Sequence, residues 1–275
     1  KTSKFIMKKP ASLTGNGIWV GSKIKLLVLS NHEHYGPCIA KYLKQHGWDH
    51  DIESTVIFTE SSAHILNNDN LYQTTFAKFD VILCDFLWTN HAISEFVANA
   101  LCTFSDYGGG IIVCGLSNVF TGGRDLKGRF RIEKYHPLGY CNESTSQYSS
   151  LTVHITMPNH ELFQLHRYLS YEDQLYLEQC SALSGSDKKF FKCFVPDKTP
   201  LRSGEEIHYA KVPPIDERTL VLMEWDVLQN NSKVKRVPFL AVRVNNAGTG
   251  VVIAYNNCAA SSKGYGRFWH ENKDG

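Results

Sequence analysis

The segment from Gly122 to Arg131 concentrates residue types that bind anions. It holds four basic residues and three glycines within ten positions. Arginine and lysine side chains donate hydrogen bonds to phosphate or carboxylate oxygens, and a glycine-rich backbone lets N–H groups approach the same oxygens. We therefore predict a small-anion site formed by Arg124, Lys127 and Arg129. The alternative is a flexible hairpin whose arginines keep it soluble or contact a protein partner.

The histidines offer a second kind of chemistry, which is metal binding. His32 and His34 alternate on one loop, and His91 and His136 are further candidate ligands. The chain has 12 histidines in 275 residues, so one such pair is expected by chance. We therefore expect these four histidines to be ordinary surface residues, and we predict no metal site and no cofactor.

The scaffold for this chemistry is predicted from the stretch between Lys23 and Phe120. Short apolar runs alternate there with helical segments, and the segment from Asn90 to Asp106 places its apolar residues on one face. That face comprises Ile93, Phe96, Val97, Ala100, Leu101 and Phe104. This alternation is typical of a parallel sheet with helices on both faces. We predict adjacent parallel strands at Leu26–Leu29, Val81–Cys84 and Ile111–Val113.

Sheets of this kind place their sites at the carboxyl ends of the strands. The loops at that edge are predicted to be Ser30–Pro37, Asp85–Asn90 and Gly115–Phe130. The three glycines at Gly108–Gly110 are not a phosphate loop, because they precede a strand instead of opening a helix. We predict that they end the preceding helix.

The rest of the chain divides into an irregular middle and a regular end. Residues 1–22 are expected to be an extended lead-in, and residues 23–275 one domain with a long irregular insertion around 121–215. The apolar runs Thr219–Trp225, Pro238–Val244 and Gly250–Tyr255 are separated by turn sequences. They predict an antiparallel β-meander that extends the parallel sheet.

Bulk composition excludes some classes of partner. The formal net charge of +2 gives no argument for nucleic acid, and no apolar run is long enough to span a membrane. Cys84, Cys102 and Cys114 fall at predicted buried positions, where free cysteine packs as a small hydrophobe. We predict that these three cysteines are free thiols and that the protein is cytoplasmic. The sequons at Asn142 and Asn230 keep a secreted protein as the alternative.

Several segments, taken in order, resemble class I glutamine amidotransferase-like domains of the ThuA and DJ-1 type. Leu26–Ser30 and Phe79–Leu83 match the first and third strands, and Phe104–Val113 contains the D-Y-G-G-G turn before the next strand. Gly250–Tyr255 matches a late strand, and Phe268-Trp269 resembles the approach to a final helix that this chain lacks. The resemblance implies a flavodoxin-like fold. It implies little about activity, because this fold hosts many functions.

Catalytic members of this superfamily hold a cysteine at a sharp turn after a strand, and the resemblance places Cys114 there. The flanking glycine pattern and the later His-x-Glu pair of amidotransferases are absent from this chain. DJ-1-type proteins instead pair the cysteine with a carboxylate from the loop after the first strand, where this chain has Glu33 beside His34. Cys114 is then either a reactive thiol opposite Glu33 or a buried strand-end residue. We favour the second interpretation.

We therefore predict a non-catalytic amidotransferase-like domain that serves as a structural or protein-interaction module of a larger protein or assembly. The related domain of intraflagellar-transport and gliding proteins is the precedent that the resemblance supplies. The alternatives are a small-molecule hydrolase or binding protein that uses Cys114 with Glu33, and a secreted carbohydrate-associated module. An enzyme needs Cys114 and Glu33 to converge in an open pocket, whereas a scaffold is expected to fill that place with Phe120, Phe130 or neighbouring loop side chains.

Overall fold

The computed structural model describes residues 23–30, 36–45, 48–50, 52–59, 61–85, 93–114, 126–140, 145–147, 152–157, 160, 207–209, 214–229 and 233–255. Strands and helices alternate through the amino-terminal half of these residues. In chain order they are β1 (Ile24–Ser30), α1 (Gly36–Gln45), β2 (Ile52–Phe58), α2 (Ala63–Leu66), α3 (Leu71–Thr74), β3 (Val81–Asp85), α4 (Glu95–Asp106), β4 (Gly110–Cys114) and α5 (Gly128–Ile132). Strands follow: β5 (Thr145–Gln147), β6 (Thr152–Ile155), β7 (Ile207–Tyr209), β8 (Thr219–Gln229), β9 (Lys233–Val244) and β10 (Val251–Tyr255).

Eight of these strands form one mixed sheet in the order β2-β1-β3-β4-β10-β9-β8-β6. β2, β1, β3, β4 and β10 run parallel to one another, while β9, β8 and β6 are each antiparallel to the strand before them in that order. The fold is therefore an α/β fold with a parallel half and an antiparallel extension. The prediction of adjacent parallel strands at β1, β3 and β4 is confirmed, and so is the antiparallel meander of β8, β9 and β10.

Helices cover both faces of the sheet. Alternate strand residues project to opposite faces. On the first face, Leu27, Leu29 and Ile82 belong to a large apolar cluster that includes α4 and the segment 126–138. On the second face, Leu26, Val28 and Leu83 form a smaller cluster with Cys114 and with Ile39 and Leu43 of α1. The central strands β1, β3 and β4 are thus largely buried on both sides, which explains why their sequences are continuous apolar runs.

The glycines after α4 end the helix, as predicted. The N–H of Gly109 donates to the carbonyl of Phe104 (3.0 Å), and the N–H of Gly108 donates to the carbonyl of Ser105 (2.9 Å). This pair of bonds is the Schellman motif, which requires a left-handed residue after the helix. Gly108 has φ of +94°, which glycine adopts at little cost. At Gly109 a Cβ would lie 2.2 Å from the Phe104 ring, so glycine is also required there for packing.

Two predictions about helices need correction. The predicted loop Gly115–Phe130 overlaps the start of α5, whose Phe130 is fully buried against the first face. A helix of five residues has no periodicity to detect, and its stability comes from this packing. In α4 the residue Phe96, predicted on the buried face, is 40% exposed, while Ala98 and Cys102 are buried. The buried face of α4 is therefore rotated and wider than the apolar pattern indicates.

Candidate functional site

The carboxyl edge of the sheet carries a row of four residues on four neighbouring strands. Ser30 of β1 lies in register with Asp85 of β3, and Asp85 lies in register with Cys114 of β4. Cys114 is in turn registered with Tyr255 of β10. Residues in register on neighbouring strands project from the same face of a sheet. Because Cys114 belongs to the second-face cluster, the whole row faces the side of the sheet on which α1 packs.

Ser30, Asp85 and Cys114 are all buried. The sequence prediction named Cys114 as a site residue but not Asp85, its neighbour in register, or Ser30, which lies one strand further along the row. Asp85 carried a detectable signal, since a carboxylate at the end of an otherwise apolar buried run is costly to bury and therefore uncommon. Ser30 gave a weaker signal of the same kind, because it is a polar but uncharged residue at the end of the apolar run Leu26–Leu29. Their alignment in one row with Cys114 depends on the register of three strands, which sequence periodicity does not provide.

Electrostatics in this row disfavour a thiolate. An ionised Asp85 repels negative charge on an adjacent group, and burial in apolar surroundings disfavours any charged form. Cys84, which precedes Asp85 on the same strand, illustrates both effects. Burial raises the pKa of the Cys84 thiol well above its ordinary value, and the neighbouring Asp85 carboxylate raises it further.

The predicted partner of Cys114, Glu33, lies outside the described residues, as do His34 and Phe120. Their convergence with Cys114 therefore stays a prediction. Phe130 does not fill the space around Cys114, because it packs in the first-face cluster on the opposite side of the sheet.

Arg129 of the predicted anion site is engaged by carboxylates of its own chain. Its Nη2 lies 2.6 Å from Oδ2 of Asp106, and its Nε lies 2.8 Å from Oε1 of Glu133. The Tyr135 hydroxyl donates to the other oxygen of Asp106 at 2.5 Å. Hydrogen bonding to Glu133, the largest cause, raises the pKa of Arg129, and burial raises the pKa of Tyr135. This clamp ties α5 to the end of α4.

The anion site itself stays a prediction, because Arg124 lies outside the described residues. Lys127 immediately precedes α5 and is partly exposed. Any anion bound near Lys127 would compete with Asp106 and Glu133 for the Arg129 guanidinium.

His136 is buried and not on the surface, which corrects the expectation for this residue. Its Nδ1 accepts a hydrogen bond from the N–H of Leu138 at 3.1 Å. Burial lowers its pKa to about 3, so the ring is neutral at physiological pH. His32, His34 and His91 lie outside the described residues. Among the residues that are described, no group of three His, Cys, Asp or Glu side chains is placed to hold a metal ion.

A buried ion pair in the antiparallel half was missed from the sequence. Arg243 of β9 is only 1% exposed, and its Nη2 and Nε bind the two oxygens of Asp216 at 2.9 and 3.3 Å. These hydrogen bonds, the largest cause, hold the pKa of Asp216 well below its ordinary value. The pair fastens the segment before β8 to β9. Its sequence signal was an arginine at a core-facing position within the apolar run Pro238–Val244.

A small cavity lies at the opposite edge of the parallel strands. It has a volume of about 170 Å³ and is lined by Lys25, Glu53, Thr55, Lys78 and Phe79. These residues lie at the amino-terminal ends of β1 and β3 and along β2. The cavity is therefore separate from the row that contains Cys114.

Comparison with known proteins finds similar structures but no matching sequence family. No family model matches the chain, and no curated protein matches it. Six solved chains match in structure. One is a protein from Parabacteroides merdae described as ThuA-like, with a TM-score of 0.48 and 10% identity over 85% of this chain and 79% of that chain. Another is the N-terminal domain of mmIFT52, with a TM-score of 0.43 and 11% identity over 87% of this chain and 89% of that chain.

Among the described residues, no helix is both long and apolar enough to cross a membrane.

Proposed function

We propose that this chain is a non-catalytic α/β domain that serves as a structural or protein-interaction module of a larger protein or assembly. The observation that carries this proposal is the environment of Cys114. The resemblance assigns this position to a nucleophile, yet the Cys114 side chain is buried in an apolar cluster with Leu26, Val28 and Ile39. A nucleophile must meet its substrate, and a buried side chain does not.

The chemistry of the surroundings supports the same conclusion. Reactive cysteines occupy partly exposed, electropositive sites where the thiolate is stabilised. The described neighbours of Cys114 in the cluster are apolar, and its neighbour in register is the carboxyl group of Asp85. A residue in this setting contributes to stability by packing, as a small buried hydrophobe does.

The second candidate is an enzyme or binding protein that uses Cys114, and the position of Asp85 favours it. The carboxyl group of Asp85, in register with Cys114 on the neighbouring strand, offers the kind of cysteine–carboxyl pairing that the resemblance assigns to Glu33. The two candidates differ in one measurable property, which is the nucleophilicity of Cys114 in the folded protein.

Alkylation by iodoacetamide at neutral pH tests the proposal. Mass spectrometry of tryptic peptides gives the rate at each of the eight cysteines, with the buried Cys102 as the internal reference. We expect Cys114 to react at least tenfold more slowly than free cysteine in solution, and the Cys114→Ala variant to remain folded. If Cys114 is alkylated preferentially and this preference disappears in Asp85→Asn or Glu33→Gln, the proposal of a non-catalytic module is wrong and the enzyme hypothesis takes its place. The variant that abolishes the preference identifies the carboxylate that assists the sulfur.

A second measurement addresses the role in the cell. A module works through its surface, so the Cys114→Ala protein is expected to replace the natural protein without loss of function. A variant that disrupts the fold is expected to fail in the same assay and serves as the control. Loss of function in a folded Cys114→Ala protein would contradict the proposal.

We also propose that the domain is cytoplasmic. The buried thiols of Cys84 and Cys102 support this location, since secreted chains with many cysteines usually pair them. The sequons at Asn142 and Asn230 lie outside the described residues. Thiol counting on denatured, unreduced protein tests the location, because recovery of no free thiols would move the protein to an oxidising compartment.

A further inference from the structure

The cavity at the amino-terminal edge of the sheet lies on the first face. Lys25 comes two residues before Leu27, which belongs to the first-face cluster, so both side chains project to that face. Glu53 is registered with Lys25, and Thr55 is registered with Leu27, which places both on the same face. Phe79 packs against the first-face cluster from the segment before β3. The cavity therefore has polar walls from two strands and an aromatic wall opposite them.

Asp80 holds the backbone around the cavity in place. Its N–H donates to the carbonyl of Lys25 at 2.9 Å, and its Oδ2 accepts a hydrogen bond from the N–H of Lys25 at 2.8 Å. The carbonyl of Asp80 accepts a further hydrogen bond from the N–H of Gly110 at 3.2 Å. Lys78 ends a single helical turn that begins at the fully buried Phe76. The backbones that carry Lys25 and Lys78 are therefore fixed relative to each other.

The polar side chains that line the cavity are not paired with one another. Within the part of the chain that the structure describes, no ion pair or side-chain hydrogen bond engages Lys25, Lys78, Glu53 or Thr55. All four side chains are exposed, so a molecule in solution reaches them directly. Two ammonium groups, one carboxylate and one hydroxyl thus face a ligand in this cavity.

We propose that this cavity binds a small molecule of the acidic amino acid class. Lys25 and Lys78 donate charged hydrogen bonds to its two carboxylates, and Glu53 accepts hydrogen bonds from its ammonium group. The Thr55 hydroxyl adds one polar contact, and Phe79 packs on the methylene groups. This binding activity goes beyond the proposed module and does not depend on it, because Cys114 lies at the opposite edge of the sheet.

Charge and size favour this class of ligand. The lining carries two positive groups and one negative group, which is complementary to a molecule with two carboxylates and one ammonium group. A simple anion such as phosphate would bring negative charge beside Glu53, and like charges in contact are unfavourable. The cavity volume of about 170 Å³ is below the roughly 300 Å³ at which sites for drug-sized ligands begin. The ligand is therefore small.

Titration of the full chain with L-glutamate, followed by nitrogen–hydrogen correlation NMR, tests this proposal. We expect the backbone N–H signals of Lys25, Glu53, Thr55 and Phe79 to shift, with a Kd of about 1 mM for a ligand with so few atoms. Glutarate, which lacks the ammonium group, and inorganic phosphate are expected to bind about fivefold more weakly or worse. No binding of L-glutamate at about 20 mM, or equal binding of glutarate or phosphate, would overturn the proposal.

Substitutions in the lining provide the second measurement. Lys25→Gln and Lys78→Gln are each expected to weaken the binding of L-glutamate about tenfold, because each removes a charged hydrogen bond. Glu53→Gln is expected to abolish the preference for L-glutamate over glutarate. Lys44→Gln, at an exposed lysine of α1 on the second face, is the matched control and is expected to leave binding unchanged. If Lys25→Gln and Lys78→Gln bind L-glutamate as tightly as Lys44→Gln does, the cavity is not the binding site and the proposal is wrong.

Discussion

Gly250 is the position at which a single methyl group should be most damaging. A Cβ built there would lie 2.2 Å from the carbonyl oxygen of Ser105, 2.6 Å from its Oγ and 2.9 Å from its carbonyl carbon. Two of these atoms belong to the backbone of α4, so no side-chain rotation can relieve the contact. In the Gly250→Ala variant the end of α4 and the start of β10 must separate by about 1 Å to restore an ordinary contact.

That separation also threatens a buried hydrogen-bond network. Asn245 donates from Nδ2 to the Ser105 carbonyl at 2.8 Å, and its N–H donates to the carbonyl of Gly250 at 2.8 Å. Overpacking costs about 1 to 3 kcal/mol, and a weakened buried hydrogen bond adds about 1 kcal/mol. Replacing glycine stabilises by about 0.4 to 1 kcal/mol through the unfolded chain. We therefore expect Gly250→Ala to lower the free energy of unfolding by about 2 kcal/mol.

Substitutions of two other glycines are controls that distinguish the steric clash at Gly250 from the general effects of replacing glycine with alanine. At Gly110 the nearest atom to a new Cβ is Val81 Cγ2 at 3.7 Å, which is an ordinary contact. Gly110→Ala should therefore change stability by less than about 1 kcal/mol. Gly248 has φ of +72° with open space around it, so Gly248→Ala should cost about 1 to 2 kcal/mol from backbone strain alone. Urea unfolding of all three variants measures these values. A Gly250→Ala protein as stable as Gly110→Ala would refute the packing argument.

Two further predictions concern charge. Asp216→Asn should destabilise the protein by about 3 kcal/mol because it leaves the buried Arg243 guanidinium without its counter-charge. The control Arg218→Ala, at a side chain that is 52% exposed, should cost less than about 1 kcal/mol, and equal effects of the two variants in urea unfolding would contradict this. His136, whose pKa is lowered to about 3 by burial, stays neutral in the folded protein while the unfolded chain binds a proton below pH 6.5. As the pH falls from about 6 to 4, the free energy of unfolding of the wild type should therefore decrease by about 1.4 kcal/mol per pH unit relative to that of His136→Asn. If the free energies of unfolding of the two proteins change with pH in parallel, His136 is not a buried neutral side chain.

The parallel half of the fold was predictable because its strands are buried on both faces. The runs Leu26–Leu29 and Ile111–Val113 are apolar at every position, unlike an amphipathic helix or a strand with one exposed face. Such runs are typical of strands in a parallel sheet that is covered on both faces. The glycines after α4 were predictable for a local reason, since a left-handed residue must follow the helix. What could not be predicted was the insertion of β10 next to β4, because strand pairing between distant segments leaves no periodic trace in either segment.

The residues of the candidate site were likewise predictable only in part from the sequence. Cys114 could be located because it ends the apolar run Ile111–Val113 at the position where the resemblance places a cysteine. Asp85 and Ser30 could be located as polar ends of apolar runs, but only the register of three strands places them in one row with Cys114. Arg243 could be noticed within an apolar run, whereas its partner Asp216 is set by the packing of a separate segment.

The position of β10 has a consequence for how the chain folds. β4 pairs with a strand about 140 residues later in the sequence, and contacts of such high sequence separation form slowly. During synthesis the first four strands of the sheet are complete long before β10 emerges from the ribosome. Until then β4 is an open edge with unpaired backbone groups and apolar side chains, which is a surface prone to aggregation. Nascent chains that stop between β4 and β10 should therefore depend on chaperones more than the finished protein does.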